Sequence, residues 1–414
     1  MPGGEGGKET AGSPALRSGL NRGVTQPMSG TRRVAFSSLL FFAMGAATFT
    51  ASSLGILATF IIDDLSITRA ELGIVLAVVH IAAAVLSPIA GRITDRIGGK
   101  AAITVLFVLA GATFLLIGTS VGYAMLLVGA FAGAFSQASA NPATNKLISE
   151  DLPAGERGVI TGIKQSGVQF GIFLGGVSVP SLAVALGWRG AYLVIASIPL
   201  VLAVIAVWVI PAAPKAVEGH RERNRGRLPA AIWWLAAYGF LSGFSGAVAY
   251  FVPLYTEETL GWTAVAGGVA AAVIALVAVP GRILWSRYAE QSGAFRRSLA
   301  VMAGLSILAA GLFLASGWGT AWLLWPAAVL IALGSSSWNS VGMLAVMVEA
   351  GAAATGRASG IVLFGFLTGL GLGPPVFGAL IDATESYDSM WVLSALTALG
   401  SAGVIWAWRR SIRR

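Results

Sequence analysis

The feature that most constrains this chain is a series of long apolar runs separated by short charged loops. Several runs exceed 20 residues, and the charged side chains gather between them. About 20 apolar residues suffice for a helix to cross the hydrocarbon core of a bilayer. Only 11% of the residues are charged, whereas 56% are hydrophobic. We therefore expect an all-α integral membrane protein embedded in the lipid bilayer.

The apolar runs divide into twelve predicted spans in two sets of six. The first set occupies residues 34–211 and the second residues 229–409. Segment 212–228 carries five lysine or arginine residues and is predicted to be a solvated cytoplasmic linker. Residues 1–33 are rich in Gly, Ser, Thr and Pro and lack the apolar core of a signal peptide, so a disordered tail is expected. Residues 410–414 form a second predicted tail.

The basic residues predict an orientation. Alternate loops hold clusters that include Arg92, Arg282 and Arg287, whereas the other loops gather acids such as Glu258 and Asp382. Lysine and arginine accumulate in short cytoplasmic loops. We therefore expect a multi-pass protein of the plasma (inner) membrane with both termini in the cytoplasm. The net charge of +9 is not read as a nucleic-acid signal, because it is dispersed among these loops.

The two halves contain an internal repeat at a spacing of 198 residues. The paired glycines are Gly162 with Gly360, Gly167 with Gly365, Gly171 with Gly369 and Gly175 with Gly373, and Asn141 pairs with Asn339 in the same frame. Glycines four residues apart leave a smooth strip on one helix face, where another helix can approach closely. Tight packing is the plain interpretation, and a sliding interface is the alternative.

A charged segment follows the second predicted span and has a weaker copy in the second half. It reads Gly91-Arg-Ile-Thr-Asp95-Arg96-Ile-Gly98-Gly99-Lys100, and the copy begins at Gly281 with Trp285 in the place of Asp95. Gly98 and Gly99 favour a tight turn, and Gly91 is expected to allow close helix packing. The segment is similar to the loop signature of the major facilitator superfamily.

This resemblance implies two six-helix bundles that rock about a substrate site near the middle of the membrane. It also implies a conformational latch at the cytoplasmic side that holds the outward-facing state. The latch residues would be Gly91, Asp95, Arg96, Gly98 and Lys100. Family resemblance further implies that the protein functions as a monomer.

The fifth span resembles the glycine signature of drug-exporting antiporters in the same superfamily. Gly158, Gly167, Gly171 and the pair Gly175-Gly176 fit it, but Ile172 replaces its proline. The arginine that such exporters carry early in the fourth span has no counterpart here, and the first predicted span holds no acid. The drug-exporter interpretation is therefore incomplete.

Lys164 lies roughly 10 Å inside the fifth span, counted from Arg157 at about 1.5 Å per residue. A buried ammonium needs an anion or several acceptors, and no Asp or Glu lies in the interior of a predicted span to pair with it. An anionic substrate would supply the countercharge. Alternatively, Lys164 reaches the cytoplasmic surface or bonds to backbone carbonyls. If it binds the substrate, Lys164→Gln should abolish anion transport.

His80 lies near the middle of the second predicted span. Histidine titrates near physiological pH, so it is a candidate for proton coupling. An ordinary hydrogen bond between helices is the other interpretation. The remaining predicted substrate-binding residues are polar or aromatic and belong to the fourth, fifth, seventh and tenth spans: Gln137, Asn141, Asn145, Gln165, Tyr238, Ser242, Trp338 and Asn339. Some of them could simply bridge helices.

We expect a secondary active transporter working by alternating access for a small organic anion such as a carboxylate. The alternative is a proton- or solute-coupled antiporter that exports neutral or amphiphilic compounds. The sequence has no glycine loop of the nucleotide-binding type, so an ion or solute gradient, possibly of protons, would drive transport. It has no cysteine and no nucleophile–base set or metal-ligand spacing, so we expect no enzyme activity, cofactor or metal.

Overall fold

The computed structural model describes residues 30–152, 157–210 and 227–413, and these are almost entirely helical. The helices are α1 Gly30–Ile56, α2 Ala58–Leu65, α3 Arg69–Ile97, α4 Gly99–Gly118, α5 Tyr123–Asp151, α6 Arg157–Val209, α7 Ala230–Gly246, α8 Val252–Glu258, α9 Ala264–Ser292, α10 Phe295–Gly317, α11 Leu324–Leu333, α12 Trp338–Thr384 and α13 Asp388–Arg413. Most of the predicted tail and linker lies outside the described residues. The stretch 30–33, predicted as tail, belongs to α1.

Eleven helical stretches of the described chain are long and apolar enough to cross a membrane. The fifth, Ile160–Val209, contains Gly187 in a left-handed backbone conformation with φ of 72°, so it comprises two helices. The same device at Gly351, with φ of 66°, divides α12. The described chain therefore contains twelve helical stretches of spanning length, and both its ends lie at one face of the bundle, called here the terminal face. The other is the opposite face.

The motif after the second span is helical rather than a loop. Helix α3 begins with a capping box between Thr68 and Glu71 and continues to Ile97. Only Gly98, with φ of 82°, makes the turn into α4. The prediction that Gly91 allows close packing was wrong, because a methyl group built at Gly91 would meet nothing within 4 Å.

Equivalent glycines make equivalent contacts in the two halves. Gly167 lies against Phe41, Gly171 against Gly45 and Gly175 against Phe49, whereas Gly365 lies against Ala236, Gly369 against Phe240 and Gly373 against Phe244. The partners are 195 residues apart in every case. The fifth span thus packs on the first as the eleventh packs on the seventh, and the repeat is visible in the packing. Gly162 and Gly360 face open space and take no part.

A cross-half ionic cluster closes the opposite face and is called here the seal. Arg69 Nη2 donates to Glu258 at 2.7 Å, and its Nη1 donates to Asp382 at 3.3 Å. Asp382 also accepts from the backbone N–H of Ala70 at 2.8 Å, which satisfies the N-terminus of α3 from the other half. Tyr387 donates to Glu258 at 2.6 Å. The two halves are therefore joined at this face.

Candidate functional site: a central cavity

A cavity of about 1080 Å³ lies between the two halves. Its wall reaches Trp233, Met347 and Arg357 near the terminal face but ends at Ile56 and Pro253, short of the seal. The cavity therefore opens toward the terminal face. Its volume is slightly above the usual range for small-molecule sites, about 300–1,000 Å³, so a small organic solute fits inside.

The structure places eight of the ten predicted substrate-binding and coupling residues on the cavity wall. These are His80, Gln137, Asn141, Asn145, Gln165, Ser242, Trp338 and Asn339. Asn141 and Asn339, which are paired by the internal repeat, thus occupy facing walls from opposite halves. Lys164 and Tyr238 are not on the wall.

Lys164 is buried behind the wall, with only 1% of its surface exposed. Its ammonium donates to Thr144 Oγ1 at 2.8 Å, Asn145 Oδ1 at 2.5 Å and Asn141 Oδ1 at 3.4 Å. Three side-chain oxygens therefore solvate the charge, rather than backbone carbonyls or the surface. Two of these three partners, Asn141 and Asn145, line the cavity, so Lys164 orients wall residues.

Tyr238 serves the core of the second half. Its hydroxyl donates to the backbone carbonyl of Leu299 at 2.8 Å, and its ring centroid lies 5.9 Å from that of Trp338. Tyr238 is 1% exposed. It therefore supports Trp338, which does line the cavity, from behind.

His80 connects the halves deep in the cavity. Its Nε2 lies 2.8 Å from the hydroxyl of Tyr250, in the second half, and its Nδ1 lies 3.2 Å from Gln137 Nε2. With the Gln137 amide N–H facing the ring, Nδ1 accepts and the Nε2–H donates to Tyr250. The imidazole thus lies between two polar partners, and Gln137 Oε1 has no hydrogen-bond partner among the described residues.

The tenth span is interrupted beside the cavity. Helix α11 ends at Leu333 and α12 begins at Trp338, and Gly334 adopts φ −88° and ψ −108°, far from helical values. Arg282 of α9 donates to the freed carbonyl of Ser336 from Nη2 at 2.9 Å and from Nε at 3.3 Å. Trp285 donates to the carbonyl of Leu333 at 3.0 Å. Non-helical backbone at this depth is tolerated where protein groups satisfy it, as they do here.

Arg282 is a cavity residue that the sequence interpretation missed. The sequence predicts that it lies among the basic residues of a cytoplasmic loop, but α9 continues to Ser292. The guanidinium lines the cavity and meets Gln169 of the fifth span. With its amide oxygen toward Arg282, Gln169 accepts from Nη2 at 2.7 Å and from Nη1 at 3.3 Å. The sequence signal that could have found this site is the run 335–340, which is unusually polar for a membrane span.

The cavity wall is cationic. Arg282 and Arg357 are on it, and no Asp or Glu is among the described residues that form it. Both acceptors of Arg282, the carbonyl of Ser336 and the amide of Gln169, are uncharged. Within the described ranges, no group of three His, Cys, Asp or Glu side chains has the arrangement of a metal site.

The residues of the predicted latch lie within the first half in this conformation. Asp95 is 3.6 Å from Lys146, which also pairs with Glu150 at 3.7 Å. Glu150 accepts from the backbone N–H of Gly99 at 3.0 Å, so it fixes the turn after α3. The pairs described for Asp95 do not reach the second half, as is expected when the terminal face is open. The latch itself stays a prediction.

The sequence profile of the Major Facilitator Superfamily matches residues 39–374. The chain belongs to this family. A putative polyol transporter of Arabidopsis thaliana is 31% identical over 213 residues, covering 48% of this chain and 40% of the relative. The chain thus matches less than half the length of that relative. A probable sulfoacetate transporter of Cupriavidus necator is 23% identical over 381 residues, covering 84% of this chain and 87% of the relative.

Further relatives and solved structures agree with the fold. A hexuronate transporter of Bacillus subtilis is 27% identical over 154 residues, which is 37% of this chain and 36% of the relative. The inward-facing structure of a bacterial homologue of the human lysosomal transporter Spinster superimposes with a TM-score of 0.77 at 14% identity. It covers 92% of this chain and 98% of that one. At this identity, the likeness shows the fold alone.

Proposed function

We propose that this member of the superfamily is a secondary active transporter that carries a small organic anion by alternating access. The observation that carries the proposal is Arg282 on the cavity wall, because its two described acceptors, the carbonyl of Ser336 and the amide of Gln169, are uncharged. Charged groups at membrane depth are costly and normally face a partner or a substrate. An anionic solute would provide the missing negative charge.

The relatives give this proposal some support. The hexuronate and the probable sulfoacetate transporters are named after organic anions. The polyol transporters are named after uncharged compounds. The probable sulfoacetate transporter is matched over 87% of its length, and sulfoacetate is both a sulfonate and a carboxylate. A carboxylate or sulfonate is therefore the preferred substrate class.

Lys164 contributes to this function indirectly. Its ammonium bonds to Asn141 and Asn145 from behind the wall. These bonds direct both amide oxygens toward Lys164, so the amide N–H groups can turn to the cavity and donate to an anion. Lys164 is thus a positioning residue in this conformation.

The second candidate is an antiporter that exports neutral or amphiphilic compounds. It is favoured by the apolar part of the cavity wall, which includes Met44, Met343, Met347 and Phe364. Methionine adapts to ligands of varied shape. The glycine pattern of the fifth span points the same way. The two candidates differ in whether the ligand must be charged.

A thermal-stability assay in detergent distinguishes them. The ligands would be galacturonate and sulfoacetate, with galactitol as the uncharged counterpart and a set of neutral and cationic drugs. A ligand at 100 times its Kd stabilises by about 2.7 kcal/mol. Stabilisation by an anion but not by galactitol is the expected result. Stabilisation by drugs alone would replace the anion proposal with the exporter.

Coupling to protons through His80 is part of the proposal. Protonation would place a second N–H on Nδ1, and Gln137 could accept it by turning its unpartnered oxygen toward the ring. The imidazolium could therefore be accommodated without loss of the bond to Tyr250. His80→Asn is expected to remove the pH dependence of uptake in proteoliposomes. An unchanged pH profile would exclude His80 as the coupling residue.

We propose a plasma-membrane location with both termini in the cytoplasm, and a functional monomer. In that orientation the cavity opens to the cytoplasm. The sequence has no cysteine, so Met347→Cys at the cavity mouth gives a background-free probe. A membrane-impermeant thiol reagent should label it in inside-out vesicles but not in intact cells. The reverse pattern would overturn the orientation.

A further inference from the structure

We infer that the Arg282 guanidinium is the group that binds the anion in the cavity. Gln169 occupies its hydrogen-bonding edge in the absence of substrate and is displaced by the substrate's carboxylate or sulfonate. This inference rests on the proposed function and adds to it the binding residue and its link to the movement of the halves. It is argued from the geometry of the guanidinium, from the position of Gln169 and from the charge of the wall.

The guanidinium is fixed along one edge. Its Nε and Nη2 both donate to the carbonyl of Ser336, which the break after Leu333 leaves without a helical partner. Trp285 holds the carbonyl of Leu333 at 3.0 Å and so stabilises the same break. Arginine presents its donors in a rigid fork. With one edge bound to the backbone, the direction of the remaining edge is set.

The remaining edge has the geometry that a carboxylate requires. It consists of Nη1 and Nη2, and both donate to the single amide oxygen of Gln169. A carboxylate or sulfonate would take the same two N–H groups through two oxygens and would carry the countercharge. Such charge-assisted, paired bonds are roughly twice as strong as bonds to a neutral acceptor. An anion in the cavity would therefore replace the amide.

Gln169 is placed so that its displacement affects the contact between the halves. It is 7% exposed and belongs to the fifth span in the first half, whereas Arg282 belongs to the eighth span in the second half. The same two spans meet backbone to backbone at Gly176 and Gly268, nearer the opposite face. Loss of the bond between Gln169 and Arg282 would leave the contact between Gly176 and Gly268, about which the two halves could rotate. Ligand binding would then change the balance of the two conformations by differential contacts, as any such coupling requires.

The first test needs no substrate. Gln169→Glu places a carboxylate on the free edge of Arg282, so its melting temperature should exceed that of the wild type. Gln165→Glu is the matched control, because Gln165 lines the cavity one turn away on the same helix. In an R282Q background, Q169E should no longer raise the melting temperature, and a double-mutant cycle measures this difference. Equal melting temperatures for Q169E and Q165E would overturn the inference.

The second test uses galacturonate and sulfoacetate as probes. Their Kd should rise at least about thirtyfold in R282Q and in Q169E, since losing one partner of a buried charge pair has effects of this order. R282K should be intermediate because lysine lacks the fork. Undiminished binding by R282K and Q169E would overturn the inference.

The two tests separate the inference from the proposed function. If neither probe stabilises the wild type, the anion function loses its support. The rise in melting temperature caused by Q169E in the absence of ligand still decides whether the free edge of Arg282 accepts a carboxylate. If the probes bind the wild type and Q169E does not weaken their binding, the anion function stands and Arg282 is not the anion-binding group.

Discussion

The second and eighth spans carry two copies of one motif at their terminal-face ends, but the arginines of the two copies lie in different surroundings. Arg92 is exposed and reaches only the carbonyl of Pro88 in its own helix. Arg282, its counterpart 190 residues later, lines the cavity and bonds to Ser336 and Gln169. Arg92 thus lies at an exposed helix end, whereas Arg282 faces the cavity.

Two local differences account for this divergence. Arg92 lies five residues before the end of α3, whereas Arg282 lies ten before the end of α9, which is roughly 7.5 Å against 15 Å at about 1.5 Å per residue. The fourth span is also unbroken where the tenth is interrupted, since Ser136 occupies the place of Gly334. Only the second half therefore offers a free carbonyl to an arginine at this depth.

Exchanging both arginines for glutamine should give the largest contrast. Arg282→Gln should lower anion transport at least about thirtyfold through the loss of a buried charge. Arg92→Gln should leave transport within about twofold, because an exposed charge contributes little. Uptake into proteoliposomes at matched protein density measures both. Equal losses in the two variants would mean that the depth of Arg282 is irrelevant.

Asp95→Asn tests the latch, which only the first copy of the motif retains. Transport should fall at least about tenfold if the carboxylate joins the halves in the other conformation, as coupling terms are of this size. Stability should change by less than about 0.5 kcal/mol, because the pair with Lys146 is exposed. Substrate binding should persist, and thermal-shift titration beside uptake checks both. Normal uptake would exclude the latch.

Alanine at Gly334 should damage the break in the tenth span. A methyl group there would lie 2.5 Å from Ser306 Oγ and 2.9 Å from the carbonyl of Met302. We expect a loss of about 1–3 kcal/mol, as for overpacking, together with weaker anion binding. Ser136→Ala is the matched control, because Ser136 Oγ has no partner to lose. Thermal unfolding of G334A and S136A measures the difference in stability, and equal stabilities of the two variants would contradict the expectation.

The smallest contrast concerns the first glycine of each copy. Gly91→Ala should be neutral or stabilising by up to about 1 kcal/mol, because alanine is the better helix former and the site is open. Gly281→Ala should destabilise by about 1 kcal/mol through overpacking, since its methyl group would approach Leu333 Cδ2 at 2.8 Å. Melting temperatures in detergent give the sign of each change. If G281A were stabilising, the Leu333 side chain would have to move away from the new methyl group at little cost.

The sequence predicts the series of long apolar helices, the repeat and eight residues of the cavity wall, because hydropathy and spacing depend on local residues. It does not predict where a helix ends once it leaves the apolar layer, which is why Arg282 was assigned to a loop. It also does not resolve rotation about a helix axis. Lys164 and Gln165 are neighbours about 100° apart on the helix, and only Gln165 faces the cavity.

The seal has a consequence for the state in which it is broken. Arg69 belongs to the first half, whereas Glu258 and Asp382 belong to the second, so separation of the halves also separates the charges. Arg69 would then lie unpaired at the entrance of the opposite face, across from the unpaired carboxylates of Glu258 and Asp382. An incoming anion would be attracted to Arg69 and repelled by these two carboxylates. Both effects would act over about 10 Å at 0.1 M salt, so rising ionic strength would weaken them.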